Sequence, residues 1–270
     1  MNQRLQNKVA LVTGAGQGVG RAISLELAQD GAAVIVNDLF SERCDEVAQL
    51  IIENGGRAIA APADITNMDQ VETMVQNAEK TFGYINVLVN NAGIVPERRE
   101  KGGKTPRFLE MPITDWSKVI DLNLYGSLYC SKSVLPRMVE HKDGKIINII
   151  SEAGRVGEAN LAVYSAAKGA IAAFGKALAK EHGRDCITVN SVALGAVSHE
   201  GIINGPLHPD ATPENNEVLK RMLNFYPLAK GLGRVSRPED ISGLIAFLAS
   251  DRSLFITGQT IGISGGFTMI

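Results

Sequence analysis

Short apolar runs alternate with longer amphipathic segments along most of the chain. Residues 9–13 (V-A-L-V-T) form an apolar run that ends at glycines. Ala22, Ile23, Leu25, Leu27 and Ala28 then form an apolar stripe, which predicts a helix over 21–29. The same reading predicts further strands at 33–36, 58–61, 87–89, 145–150, 187–192 and 259–263. It predicts helices over 41–54, 68–82, 161–182 and 238–250, and a largely helical stretch over 115–141. Ser41 is placed to cap the second helix, with Gly55 and Gly56 just past its end. Pro238 opens the last helix in its first turn.

The strand runs show little polar alternation: V-A-L-V and I-I-N-I-I are apolar on both faces. Strands buried on both faces and separated by helices imply an α/β fold, a parallel sheet covered on each side. Right-handed crossovers then make a doubly wound sheet the expected topology. No repeat, low-complexity stretch or linker divides the chain, so one domain over 1–270 is expected. Two segments break the alternation, 96–110 (P-E-R-R-E-K-G-G-K-T-P-R-F-L-E) and 196–213. Both follow apolar strands, at the edge where such sheets bind ligands, and long loops there are often functional.

Composition narrows the function. Apolar residues make up 45% and charged residues 21%, which is ordinary globular usage. A formal net charge of −2 supplies no field to draw nucleic acid or anionic lipid. No stretch approaches 18 apolar residues and none at the amino terminus is long enough for a signal peptide, so a cytoplasmic location is expected. Cys44, Cys130 and Cys186 are far apart and read as small buried thiols of a reducing compartment. No His/Asp/Glu cluster has metal-ligand spacing, so no metal is expected.

The first strand runs into Thr13-Gly14-Ala15-Gly16-Gln17-Gly18-Val19-Gly20 and then a helix. Glycines let the backbone turn tightly and approach a pyrophosphate, and the helix N-terminus offers free amides and partial positive charge. Such a turn can also serve packing alone. Asp38 ends the second strand, 18 residues past Gly20, where an acid can accept the adenosine ribose hydroxyls. A carboxylate there repels a 2′-phosphate, and Gln17 rather than a basic residue stands in the glycine loop. NAD(H) is therefore favoured over NADP(H), with nearby Arg43 as the contrary feature. The alternative for Asp38 is a solvated helix cap.

Tyr164 and Lys168 are four apart in a helix-forming run, so they share a face. Ser151 follows the strand I-I-N-I-I. Separately, each has a structural reading: a surface tyrosine–lysine pair, and a turn serine. Taken with the glycine loop, these residues closely resemble the short-chain dehydrogenase/reductase family. The resemblance extends through A-D-I at Asp64, N-N-A-G at 90–93, Asn123 in D-L-N-L, and V-N-S-V-A-L-G-A-V at 189–197. It ends on R-P-E-D-I, F-L-A-S-D, I-T-G-Q-T-I and a terminal G-G.

The resemblance implies a Rossmann fold with a seven-stranded parallel sheet, in a homotetramer. It implies that Tyr164 is the general base, and the acid in reverse. A free phenol titrates near 10, so moving it by about three units requires roughly 4 kcal/mol, which an adjacent Lys168 cation can largely supply. Ser151 would hydrogen-bond the substrate oxygen and Asn123 would hold a relay water. Asp64 and Ile65 would flank the adenine, Asn91, Ala92 and Gly93 would line the cofactor, and Val197 would lie near the carboxamide. Leu194, His199 and Ser264 depart from the family's usual proline, threonine and aspartate.

S-E-A-G-R-V-G-E-A and S-G-G-F-T-M resemble family members that act on alicyclic or aromatic secondary alcohols, some CoA-linked. Residues 96–110 carry Arg98, Arg99, Lys101, Lys104 and Arg107 against three glutamates, which suits the phosphates of a CoA thioester or merely a solvated loop. Glu152 and Arg155 could touch substrate or form a local surface ion pair. The leading expectation is an NAD-dependent secondary alcohol dehydrogenase. The alternatives are a 3-oxoacyl-thioester reductase and a non-catalytic nucleotide-binding sensor.

Overall fold

The computed structural model describes residues 4–94, 106–202 and 205–270. Its strands are β1 (Val9–Val12), β2 (Ala33–Val36), β3 (Arg57–Ala60), β4 (Val87–Asn90), β5 (Gly144–Ser151), β6 (Ile187–Leu194) and β7 (Thr260–Ile263). They form one parallel seven-stranded sheet in the order β3-β2-β1-β4-β5-β6-β7. The helices are α1 (Gly18–Gln29), α2 (Ser41–Glu53), α3 (Met68–Phe82), α4 (Ile113–Ile120), α5 (Gly126–His141), α6 (Ala153–Val156), α7 (Ala162–His182), α8 (Glu217–Leu223), α9 (Pro227–Leu232) and α10 (Glu239–Ala249).

Two cores explain why the strands lack alternation. Ala10, Val12, Val34, Val36, Val89 and Ile147 face α1, α2 and α10. Leu11, Ala33, Ile35, Leu88 and Ile146 face α3, α5 and α7. This is the doubly wound α/β arrangement expected of a Rossmann fold. The chain leaves β1 toward β2 and later returns to β4 on the other side of β1. Ligands bind such sheets at the crevice that this reversal opens beyond the strand ends.

Local differences have local causes. Ser41 is the first residue of α2, and Phe40 is the cap residue, with no side-chain capping bond. Asp38 turns the chain earlier, accepting the Phe40 amide at 3.3 Å. The helical stretch over 115–141 is interrupted by a π-turn at Asp121–Tyr125. Three short helices have no counterpart in the sequence pattern: α6, α8 and α9. Leu219, Leu223, Ala229 and Val235 give the 196–235 excursion a small core of its own. Cys44 and Cys130 are buried, but Cys186 is exposed, in a turn at φ 59° before β6. Most of the 96–110 loop, including Arg98, Arg99, Lys101 and Lys104, lies outside the described residues. Among the described residues no helix is long and apolar enough to cross a membrane.

Candidate active site

The glycine turn after β1 is built for close backbone approach. Gly14 and Gly18 take φ values of 62° and 54°, in the left-handed region. A Cβ on Gly20 would lie 2.2 Å from the Gly14 carbonyl oxygen, so a side chain there would displace the turn. Gln17 is the cap residue of α1 but makes no side-chain capping bond, which leaves the first amides of α1 to other acceptors. Val19 is half-buried against the first core. The turn fits a pyrophosphate.

Thr13 and Asn91 hold this turn against the end of β4. The Asn91 side-chain amide donates to the carbonyls of Thr13 and Gly14 at 2.9 and 3.1 Å. The Thr13 hydroxyl oxygen accepts the backbone amides of Asn91 and Ala92 at 3.0 and 3.1 Å. Thr13 is a site residue that the glycine motif alone does not single out. Its signal was its place immediately before the first glycine.

Asp38 is buried and turned toward the glycine loop, where its Oδ2 accepts the Gly16 amide at 3.1 Å. It is not the cap residue of α2. The Arg43 guanidinium stands 4.3 Å from the centroid of the Phe40 ring. Asp64 is engaged locally, accepting the Thr66 amide and hydroxyl at 2.9 and 2.7 Å. Ile65 is buried against Gly126. Val197 bridges to Ser236, and the Ser236 hydroxyl donates to the Ala196 carbonyl at 2.7 Å.

The ends of β4, β5 and α7 then bring polar groups together. Ser151 ends β5, with its hydroxyl oxygen accepting the Ala153 amide at 3.2 Å. A Cβ on Gly154 would lie 2.8 Å from Lys168 Cβ, so only glycine lets α6 sit this close to α7. Lys168 is 4% exposed, and its Nζ donates to the Ile149 carbonyl at 2.9 Å. Nζ also stands 5.8 Å from the Tyr164 ring centroid, as expected for one helix face. Burial pulls the Lys168 ammonium down to about 8.

Asn123 sits in the π-turn, a deviation often found at functional sites. Its Nδ2 donates to the Val119 carbonyl at 3.0 Å, while its buried Oδ1 has no hydrogen-bond partner among the described residues. A Cβ on Gly93 would lie 2.8 Å from Asn123 Oδ1 and 2.9 Å from Lys168 Nζ. The missing side chain leaves one point from which a small polar atom can reach both.

Glu152 and Arg155 form an ion pair at 3.2 Å, with only 2% and 11% of their side chains exposed. The expected surface pair is therefore a buried one. Leu194 stands in strand register between Ser151 and Ile263. His199 packs on the glycine loop, since a Cβ on Gly18 would lie 2.7 Å from its Nδ1. Glu200, which had no expected role, accepts the Gly18 amide at 3.3 Å and lies 3.8 Å from Arg21.

Residues 8–203 match the family model for short chain dehydrogenases. A 3-oxoacyl-[acyl-carrier-protein] reductase of Synechocystis sp. is 41% identical over 267 residues, covering 98% of each chain. The (2S)-[(R)-hydroxy(phenyl)methyl]succinyl-CoA dehydrogenase subunit BbsD of Thauera aromatica is 38% identical, covering 97% of each chain. A cyclohexanol dehydrogenase of Acinetobacter sp. is 34% identical, over 99% of this chain and 98% of the relative. The chain belongs to the short-chain dehydrogenase family, whose members are oxidoreductases that use nicotinamide dinucleotides.

Proposed function

We propose that the protein uses NAD(H) to interconvert a secondary alcohol and a ketone, with Tyr164 as the proton-transferring group. The observation that carries this reading is the shared point beside Gly93, within reach of both Asn123 Oδ1 and Lys168 Nζ. Bound nicotinamide supplies or accepts the hydride. In the oxidative direction the alcohol proton passes to the Tyr164 phenolate oxygen. Lys168 titrates near 8, so at pH 7 it is mostly an ammonium that favours the phenolate. A water held between Asn123 and Lys168 carries the proton onward. Ser151 donates to the substrate oxygen and stabilises the charge that develops there.

Gly14, Gln17, Gly18, Val19 and Gly20 hold the pyrophosphate. Asp38 takes the ribose hydroxyls, and Asp64 and Ile65 flank the adenine. Asn91, Ala92, Gly93 and Val197 complete the cofactor site, with Tyr164 and Lys168 at the nicotinamide ribose. The buried carboxylate of Asp38 disfavours a 2′-phosphate and supports NAD(H). Ring-bearing or CoA-linked substrates fit the BbsD and cyclohexanol dehydrogenase relatives. The Synechocystis relative favours a second reading, reduction of a 3-oxoacyl thioester. Exposed Leu254 and Phe255 would suit burial in a homotetramer.

The test screens NAD⁺ and NADP⁺ reduction with cyclic, aryl and CoA-linked secondary alcohols, and NADH and NADPH oxidation with acetoacetyl thioesters. Tyr164→Phe should cut kcat by about a thousandfold or more at unchanged thermal stability. Unchanged turnover would remove the proposed base. A strict NADPH preference with acyl thioesters alone would favour the second reading.

A further inference from the structure

The chain that follows β7 is fastened to the residue next to Ser151. Glu152 is 1% exposed, and both of its oxygens are committed. Arg155 Nη1 lies 3.2 Å from Oε1 and 3.3 Å from Oε2, and the Thr268 hydroxyl donates to Oε2 at 2.6 Å. A Cβ on Gly262 in β7 would lie 2.7 Å from Glu152 Oε1 and 2.9 Å from Arg155 Nη1, so glycine there makes room for the pair. Desolvation offsets most of the attraction in a buried ion pair. Its effect lies in the geometry it holds, and here it holds residues 264–268.

Phe267, in that segment, stacks on Tyr226 with ring centroids 4.8 Å apart and planes at 18°. Tyr226 packs on the small core of the 196–235 excursion and is hydrogen-bonded to the backbone of Ala196. Its Cε1 would lie 3.0 Å from a Cβ on Gly195. Gly195 follows Leu194, the register partner of Ser151. The ring pair therefore stands at the carboxyl ends of β6 and β7, one strand from Ser151. Burial first, then the Glu158 and Glu152 charges, raises the Tyr226 phenol and keeps it neutral. A neutral aromatic pair offers a flat apolar surface.

We propose that Phe267 and Tyr226 form a wall of the substrate cleft that favours secondary alcohols bearing a ring, and that the Thr268–Glu152–Arg155 link positions this wall against Ser151. This rests on the alcohol–ketone reading above and specifies its substrate class. Phe267 and Tyr226 would be specificity-determining residues, and Glu152, Arg155 and Thr268 positioning residues.

The experiment compares wild type, Phe267→Ala, Phe267→Leu and Thr268→Val with NAD⁺. The substrates are cyclohexanol, 1-phenylethanol and acyclic 2-butanol. Phe267→Ala should lower the ring-to-acyclic ratio of kcat/KM by about tenfold, mainly through KM. Phe267→Leu, which keeps apolar volume without the ring, should lower it less. Thr268→Val should move it the same way, by about threefold. Saturation-transfer NMR with acetophenone gives a second readout, in which the ring signals should weaken in Phe267→Ala. Equal losses on ring and acyclic alcohols, or undiminished acetophenone signals, would overturn the wall. If wild type oxidises neither these three alcohols nor any CoA-linked secondary alcohol, the parent reading fails and this one with it; if it oxidises only the CoA-linked ones, this one alone fails. If wild type is active and the ratio is flat, only this one fails.

Discussion

The two edges of the sheet treat their charged groups in opposite ways. At the amino-terminal edge, Asp143 precedes β5 and accepts from Lys8 at 3.0 Å, Asn86 at 3.0 Å and Tyr84 at 3.1 Å. Burial pushes its carboxyl up, but the Lys8 hydrogen bond and charge outweigh this and hold it below the usual range. At the carboxyl edge, Lys168 is buried against a backbone carbonyl, and Asn123 Oδ1 has no partner among the described residues. A polar group whose valences are filled inside the protein contributes structure. One with a valence to spare can receive a ligand, at a cost in stability. Lys145 limits the rule. Its buried Nζ also has no hydrogen-bond partner among the described residues, yet it stands at the edge away from the crevice. Spare valence matters only where the topology opens a site.

The comparison breaks if Asp143 proves dispensable. Asp143→Ala strands the Asn86 side-chain amide and leaves Lys8 only the exposed Asp251 at 3.5 Å, and should cost about 2 kcal/mol in urea unfolding with kcat unchanged. The carboxyl is lowered in the fold, so its contribution is present above its unfolded value of 3.8. It disappears as pH falls through the lower native value. A variant as stable as wild type at pH 7 would show that this network is ornamental.

At the opposite edge the group costs stability at pH 7 instead of contributing it, so its removal should stabilise. Lys168 binds its proton up to 10.5 when unfolded but only to about 8 when native. Between those values the unfolded chain holds more protons, so stability rises with pH. At pH 7 the native protein carries this charge at a cost of about 3 kcal/mol, partly offset by about 1 kcal/mol from the bond to Ile149. Lys168→Met should therefore be more stable than wild type at pH 7 by on the order of 2 kcal/mol. The gap should close as pH rises from about 8 to about 10.5, followed by denaturant midpoint. A destabilised variant at pH 7 would mean that the ammonium is better solvated than its burial implies.

What was legible in the sequence divides along similar lines. Strands β1, β2 and β5 stood out because burial on both faces leaves an uninterrupted apolar run. The span of α3 was legible, because one face of Val71, Met74, Val75 and Ala78 packs on the sheet. The π-turn at Asn123 and the short α8 and α9 were not legible, because tertiary packing rather than periodicity holds them. The glycine turn, Ser151 and the Tyr164–Lys168 pair could be placed from motif and spacing. The burial of Glu152 could not, because its charge alone predicts a surface. Nor could Glu200, which meets Gly18 only through folding of distant segments.

Glu200 sharpens the comparison most finely, because it places a filled valence inside the open edge. Its carboxylate accepts the Gly18 amide at 3.3 Å, at the helix end proposed for the pyrophosphate, and Arg21 stands 3.8 Å away. An anionic side chain there competes with phosphate for the amide and the guanidinium and repels it as well. Glu200→Gln keeps the shape and removes the charge. The dissociation constant for NADH, read by fluorescence titration without substrate, should fall by about threefold, a small effect because the side chain is largely solvated. The gain should shrink toward nothing in about 1 M salt, where the screening length is roughly 3 Å. Weaker binding of NADH by Glu200→Gln would mean that the carboxylate orders the loop for the cofactor instead of standing in its place.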